Sequence, residues 1–442
     1  MPGPSPQRAR VLLLVVFTLL GFMLSGWLAR VPSVRDALEL TPSTFGTVLL
    51  VASLGTLAST LSAGYVNARF GGAAVMRVSA VVQALGYGLI GLSTVVGSVA
   101  LLVLGVMLQG VAFAPVNVTI NVEAAGVERR LGRSVMPQFH AMFSIGAVAG
   151  AGFGAAASAL GVSVAAQLGS VALLAAVVQL ACVRGLVEDT RLDRSRPAHE
   201  RRGGAARASL RVWGEKRTLL LGVVVFAAAL SEGSANQWIP LAVVDGFRSP
   251  EAVGATVLTV FTASMTVVRL VGTRLLDRFG RVWVLRASGT AAFTGLLLFV
   301  LAPSFSLAVV GVSLWGLGAA LAYPVTLAAA SDDPVRAAAR VSVVTAFASV
   351  ARLCAPPAIG RLGEAWGIRQ ALVIIAGGLV LSVLLAYQAR KEKPADGELP
   401  ATVTPEISQT TEVPEIVTEA SVDAEALSVP SELEPSLETD SR

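Results

Sequence analysis

Charge is the scarcest feature of this 442-residue chain: Asp, Glu, Lys and Arg make up 14% of it against 54% hydrophobic residues, and mean hydropathy is +0.71. That is too little polar surface for a soluble globule of this size, so the composition points to a bilayer. Cysteine is nearly absent too. Cys182 and Cys354 fall in separate apolar stretches, which argues against a disulfide framework or a thiolate metal site. There is no Walker loop, no His/Cys cluster and no nucleophile elbow, so enzyme chemistry and a bound cofactor are not expected. Lysine occurs three times against 31 arginines, a bias that fits a GC-rich bacterial genome. The net charge of +5 averages unlike parts of the chain and implies no nucleic-acid partner.

What is present is long apolar sequence that occurs twice. Arg69-Phe70-Gly71, Val75 and Arg77 recur 209 positions on as Arg278-Phe279-Gly280, Val284 and Arg286. Each copy leads into a charge-free window of 45 residues, from Arg77 to Glu123 and from Arg286 to Asp332, with Pro115-Val116 matched by Pro324-Val325. Each window exceeds the ~20 residues one membrane helix needs, so each holds two spans, split near Gly91–Ser98 and at Pro303-Ser304. A repeat of about half the chain means two copies of one multi-helix unit.

Twelve spans are expected, at roughly 11–31, 44–66, 75–95, 98–121, 138–160, 164–186, 217–241, 251–273, 284–302, 306–330, 339–360 and 368–388. The first is read as retained rather than as a signal peptide, since Trp27 to Pro32 is the wrong flank for cleavage. Bases concentrate in alternate loops, with Arg30, Arg35, Arg248, Arg361 and Arg369 as the exceptions; this places both termini in the cytoplasm of a bacterial inner membrane. The fold expected is therefore an all-α polytopic membrane protein of twelve transmembrane helices in two pseudo-symmetric six-helix bundles, 1–187 and 217–393. Residues 188–216, rich in Arg and small residues, read as a flexible cytoplasmic linker, and 394–442, rich in Pro, Glu, Ser and Thr without an aromatic, as a disordered acidic tail. A monomer is expected.

Two six-span halves, a basic turn between spans 2 and 3, its copy between spans 8 and 9, and a long central loop together resemble the major facilitator superfamily, over about residues 8–390. The superfamily turn reads roughly G-x-x-x-D-R-x-G-R-R. Gly64, Arg69 and Gly71 match it in the first copy, where Ala68 replaces the acid; Asp277, Arg278, Gly280 and Arg281 match it better in the second. The tracts Glu128-Arg129-Arg130, Phe139-His140-Ala141 and Glu232-Gly233 further resemble a bacterial subgroup of sugar-permease-like facilitators. In that subgroup an acid precedes the span-7 tryptophan, whereas here Gln237 precedes Trp238. The resemblance implies secondary transport by alternating access, with spans 1, 4, 7 and 10 lining a central cavity. A Gly-Pro pair in span 5, usual in the drug antiporters, is missing.

The residues carry the reading further. Ionisable groups within a bilayer are costly unless paired or hydrated, and so mark functional sites by default. Glu232 and Arg352 lie at matching depths, ~22 Å and ~20 Å from the cytoplasmic end at 1.5 Å per residue. They either pair, as a static bridge or as a proton and substrate site, or act in turn. Arg269 reads as nearer the cytoplasm, snorkelling or bracing the turn. Gln109, Phe113, Asn117 and Asn121, spaced by four, put a stripe of amides on span 4 that either lines a cavity or ties helices together. Asn236 follows Glu232 by one turn, and Trp315 and Tyr323 stand eight apart on one face of span 10. His140 is a proton-relay candidate or a structural histidine, and Glu123 a solvated helix end. Gly146, Gly150 and Gly154 repeat every four residues, the small-residue pattern of close helix packing. In the turns, Asp277 with Arg278 either locks one conformation at a helix N-terminus or simply anchors the turn.

Together these features imply a carrier of a small organic solute, sugar-like or amphipathic, with a proton as the expected second partner. The other class left open is a transporter-like membrane sensor signalling through the central loop or tail. Transport that survives deletion of 394–442 separates the two.

Overall fold

The computed structural model describes residues 5–132, 135–186, 212–333 and 336–391, and every regular element among them is helical. The expected tail and most of the expected linker lie outside these residues. The first half contains α1 (Pro6–Leu28), the short α2 (Val31–Ala37), α3 (Pro42–Phe70), α4 (Gly72–Val96), α5 (Val99–Leu131), α6 (Met136–Ala159) and α7 (Val164–Leu186). The second contains α8 (Lys216–Phe247), α9 (Glu251–Leu301), α10 (Phe305–Ala319), α11 (Ala322–Ala330), α12 (Ala337–Trp366), α13 (Ile368–Ala371) and α14 (Ile374–Leu385). Among the described residues, eleven helices are long and apolar enough to cross a membrane. The 51-residue α9 is two such helices, because Gly280 breaks it with φ 74° and ψ 163°. Twelve crossings result, six in each half.

Local chemistry sets the ends. Thr41 and Ser98 accept backbone hydrogen bonds from Thr44 and Leu101, and Ser304 does the same for Leu307, so each helix start has one of its orphan donors satisfied. Gly71, the repeat partner of Gly280, has φ 80° and ψ 149°. Both copies of the turn therefore use a backbone shape that only glycine adopts without strain, and the end of the molecule that holds them is called the turn end below.

Within the first half, α1 and α6 touch backbone to backbone. A Cβ at Gly146 would stand 2.0 Å from the Thr18 carbonyl oxygen, and one at Gly150 2.1 Å from that of Phe22. The four-residue glycine spacing is thus a packing device.

Prolines inside spans free the carbonyl four residues back, and neighbouring helices take it up. Pro115 frees Val111, whose oxygen accepts the Ser59 hydroxyl at 2.5 Å. Its repeat partner Pro324 frees Ala320, whose oxygen accepts Arg269 Nε at 3.3 Å. Pro356 frees Arg352, whose carbonyl lies 3.3 Å from the Ser53 hydroxyl across the two halves, while that hydroxyl is closer, at 2.8 Å, to the Leu49 carbonyl of its own helix.

The halves are sealed at the end opposite the turns. A Cβ at Gly46 would meet the Pro356 carbonyl oxygen at 2.5 Å, and one at Gly360 the Pro42 oxygen at 2.6 Å, so α3 and α12 close with no side chain between them. Glu251, in the first turn of α9, accepts from the Ser33 amide at 2.8 Å and the Ser158 hydroxyl at 2.7 Å. Its Oε2 lies 3.1 Å from Nε of the buried Arg30, an ion pair rather than an aligned hydrogen bond. Arg35 clasps both oxygens of Asp245 at 2.5 and 2.7 Å. Burial pushes the Arg35 guanidinium down, but the bonds to Asp245 and Asp36 more than offset this and hold it above its ordinary range.

At the turn end, ion pairs among the described residues tie the second half together. Asp332 bridges Arg281 at 2.7 Å and Arg217 at 3.3 Å, and Glu215 holds Arg340 at 2.7 Å and Arg336 at 2.9 Å. The last residues of the expected linker are accordingly packed: Val212 is buried and Trp213 stacks on Phe347. Glu128 accepts the amides of Val135 and Met136 at 2.8 Å, capping α6. Glu123 is buried, not a solvated end, because α5 continues to Leu131.

Candidate functional site: the cavity between the halves

Between the bundles lies a cavity of about 1780 Å³ whose lining runs from Leu28 and Leu49 near the sealed end to Asp277, Arg281, Arg390 and Lys391 at the turn end. Of the residues singled out from sequence, Glu232, Asn236, Arg352, Gln109, Asn117, Tyr323 and His140 all face it. The expected pairing is different. Glu232 does not reach Arg352; its Oε1 accepts from Nη2 of Arg269 at 3.0 Å, and both partners are partly buried. Arg269 thus neither snorkels nor braces the turn. One nitrogen serves the carbonyl freed by Pro324 and another serves Glu232.

Geometry explains the choice. The first limb of α9 runs toward the turn end, so the Cα–Cβ bond of Arg269 tilts toward the sealed end, while α8 runs the other way and tilts Glu232 toward the turns. The two side chains lean together. Arg352 comes from the middle of α12, and its guanidinium is exposed to the cavity with no ion pair or hydrogen bond among the described residues.

The first half contributes amides. Gln109 Nε2 donates to the Gln83 carbonyl at 2.6 Å, and Gln83 itself, buried on the cavity wall, keeps an Oε1 with no partner among the described residues. Asn117 lines the cavity; Asn121 lies one turn beyond and donates to Asn117 Oδ1 at 2.8 Å, acting as its support. Asn236 Nδ2 donates to the Glu232 carbonyl at 3.0 Å. His140 sits edge-on to Phe17 at 5.6 Å between ring centroids. Sequence reasoning missed Gln83 and Tyr87, which line the wall from α4. A lone amide in a charge-free window was the available signal.

Trp315 requires correction. It is fully buried, its Nε1 donates to Ser231 at 2.8 Å, and Phe261 and Phe299 pack on it. It does not share a face with Tyr323, because the helix is interrupted between α10 and α11 just before Pro324, and the eight-residue register does not survive that break. In the turns, Asp277, Gly280 and Arg281 border the cavity mouth, while Arg69, Gly71 and Arg278 lie outside it. Arg69 and Arg278 stack alike over Phe70 and Phe279, at 5.6 and 5.4 Å. Asp277 is exposed and makes no ion pair among the described residues, so any lock it forms is open in this conformation. The acid that holds the turn is Asp332, through Arg281.

Two pseudo-symmetric helical bundles, sealed at one end around a large, mostly apolar cavity that carries a few polar and charged groups, define a multi-pass membrane transporter. The family model of the Major Facilitator Superfamily matches residues 11–332 and 221–422, and the chain belongs to that superfamily. It is 32% identical over 372 residues to y4wD, an uncharacterized transporter of Sinorhizobium fredii, covering 84% of this chain and 95% of that one. Among solved structures it resembles the nucleoside transporter NupG, with a TM-score of 0.71 at 14% identity over 87% of this chain and 100% of that one. It also resembles a D-xylose–proton symporter, at 0.67 and 13%, over 88% of this chain and 98% of that one. At these identities the two structures speak for the fold alone.

Proposed function

We propose that the chain is a secondary active carrier that moves a small organic solute across the bacterial cytoplasmic membrane by alternating access, with Glu232 as the proton-coupling carboxylate. The observation that carries this reading is the Glu232–Arg269 pair set in the wall of a solute-sized cavity between two halves. Protonating Glu232 removes its charge and releases Arg269, so one proton changes the electrostatics of the whole site. The basic turns and the positive-inside rule assign the turn end to the cytoplasm. On that assignment the conformation is inward-facing: the outer end is sealed by Gly46, Gly360 and Glu251, and the lining reaches the cytoplasmic bases Arg390 and Lys391. Hydroxyl-bearing solutes fit the amides Gln83, Gln109, Asn117 and Asn236, and Tyr323 offers a ring for stacking.

The test is solute-induced pH change in proteoliposomes with a trapped pH dye, comparing wild type with Glu232→Gln. Solute-dependent proton flux lost in the variant is the expected result. Flux that persists there removes Glu232 from the role and turns attention to His140.

A further inference from the structure

The repeat makes each half a control for the other. Adding 209 to Met23, Thr60 and Phe143 gives Glu232, Arg269 and Arg352, and all six positions line the cavity. The same offset takes Gln83, Gln109, Asn117 and His140 to Ala292, Gly318, Thr326 and Ser349. The backbone of the site is therefore duplicated while its chemistry is divided. One wall bears neutral amides and a histidine, and the other, besides the amides Asn236 and Gln237, bears the charges at mid-depth.

Those charges do not cancel. Glu232 is matched by Arg269 at 3.0 Å, which leaves Arg352 as a guanidinium at bilayer depth without a counter-charge among the described residues. Nearby carboxylates are already engaged or remote: Asp332 is held between Arg217 and Arg281, and Asp277 stands at the mouth. Among the described lining residues, five bases (Arg269, Arg281, Arg352, Arg390, Lys391) face two acids (Glu232, Asp277), and the balance stays positive when Asp332, which bridges Arg281 from outside the lining, is included. Such a field in a low-dielectric cleft concentrates anions and repels cations. A planar guanidinium with all its donors free suits a carboxylate or phosphate, which it can hold through two parallel bonds.

Resting on the reading of this cavity as a transport site, we propose that the carried solute is a small hydroxylated organic anion. Its acidic group binds Arg352 on the second half, and its hydroxyls meet the amides of the first. Arg269 remains with Glu232 until that carboxylate is protonated and then becomes a second cationic contact. Charge on the solute thus sets its direction in the site, acid toward α12 and hydroxyls toward α4 and α5.

The test uses the full chain in lipid nanodiscs with matched probes on one skeleton: D-glucose, D-glucosamine, D-gluconate, D-glucuronate and D-glucose 6-phosphate. Thermal stabilisation is read for wild type, Arg352→Gln and Arg352→Lys. At least one acid stabilises wild type with an apparent affinity about tenfold or more above the neutral parent, as expected for a charge-assisted bidentate contact. Gluconate or glucuronate acting alone identifies a carboxylate, and glucose 6-phosphate acting alone a phosphate. Arg352→Gln loses the effect while its ligand-free melting temperature does not fall, since no protein partner is lost; Arg352→Lys keeps part of it. The proposal is overturned if glucose or glucosamine equals or exceeds the acids, if the acids act unchanged on Arg352→Gln, or if no probe stabilises the wild type. Counterflow of the radiolabelled probes in proteoliposomes separates the two claims. An acid that binds through Arg352 but is never exchanged leaves the anion site standing and sinks transport, and a neutral sugar that is exchanged does the reverse.

Discussion

The two halves solve the same structural problem with different residues. Pro115 and Pro324 occupy one repeat position and free the carbonyls of Val111 and Ala320, which are also repeat partners. In the first half a serine hydroxyl answers; in the second, an arginine that also holds a carboxylate. A helix kink thus needs only a donor, and the second half has turned that donor into part of a charged site. The same division runs through the turns, where Arg281 and Asp332 form a bridge that Gly72 in the first half cannot make.

The sharpest way to break this comparison is to remove both donors. Arg269→Ala leaves the Glu232 carboxylate and the Ala320 carbonyl without partners, and transport should fall by about 100-fold or more, as expected when a partly buried charge loses its mate. Ser59→Ala should cost only about 1 kcal/mol of stability and leave the transport rate within a factor of about two. Equal losses in the two variants, measured by flux and thermal melting side by side, would mean that the arginine is merely structural.

A smaller effect is expected from filling the seal. Gly46→Leu puts side chain where a Cβ already meets the Pro356 carbonyl oxygen at 2.5 Å. The halves should then fail to close at that end. A cysteine at Ser43 would become reactive to an impermeant thiol reagent added from outside, with transport reduced roughly tenfold or more and melting changed little. Unchanged labelling would place the closing contact elsewhere.

The smallest effect concerns the clasp at the start of α8. Burial pushes the Glu215 carboxyl up, but the bonds from Arg340 and Thr218 and the charges of Arg340 and Arg336 more than offset it, so it titrates below its ordinary range. A carboxylate depressed in the folded state adds stability that is present above its unfolded value near 4.5 and is lost as pH falls through the folded one. Glu215→Gln should therefore lower the melting temperature by roughly 1–3 °C at pH 7 and by less as the medium approaches pH 4. A shift of the same size at both pH values would show that shape, not charge, makes the contact.

Much of this architecture was legible beforehand because it is written in long-range patterns. The 209-residue offset, the charge-free windows and the alternation of basic loops require only that a bilayer excludes charge, and they yielded twelve spans and two halves. The site was legible by depth but not by direction. Glu232 and Arg352 sit at matching heights, yet height does not reveal which way a helix turns a side chain. Arg269 was misjudged for a related reason: hydropathy ended its span near 273, whereas the helix continues to Phe279, which puts the arginine deeper. Trp315 was misplaced because a face drawn across eight residues assumes an unbroken helix, and the break before Pro324 cancels it.

The paired prolines of α12 have a mechanical consequence. Pro356 and Pro357 remove two successive ladder bonds from a helix whose turn-end arm carries Arg352 and whose other arm carries Gly360, the residue pressed against Pro42 at the seal. On the proposed reading, the solute contact and the seal lie on one helix with a soft fulcrum between them. The Ser53 hydroxyl, shared between the freed carbonyl at 3.3 Å and Leu49 at 2.8 Å, touches the turn-end arm from the opposite bundle at that fulcrum. A pull on the Arg352 side chain therefore acts about two turns from the seal contact, across a hinge that lets the two arms turn separately.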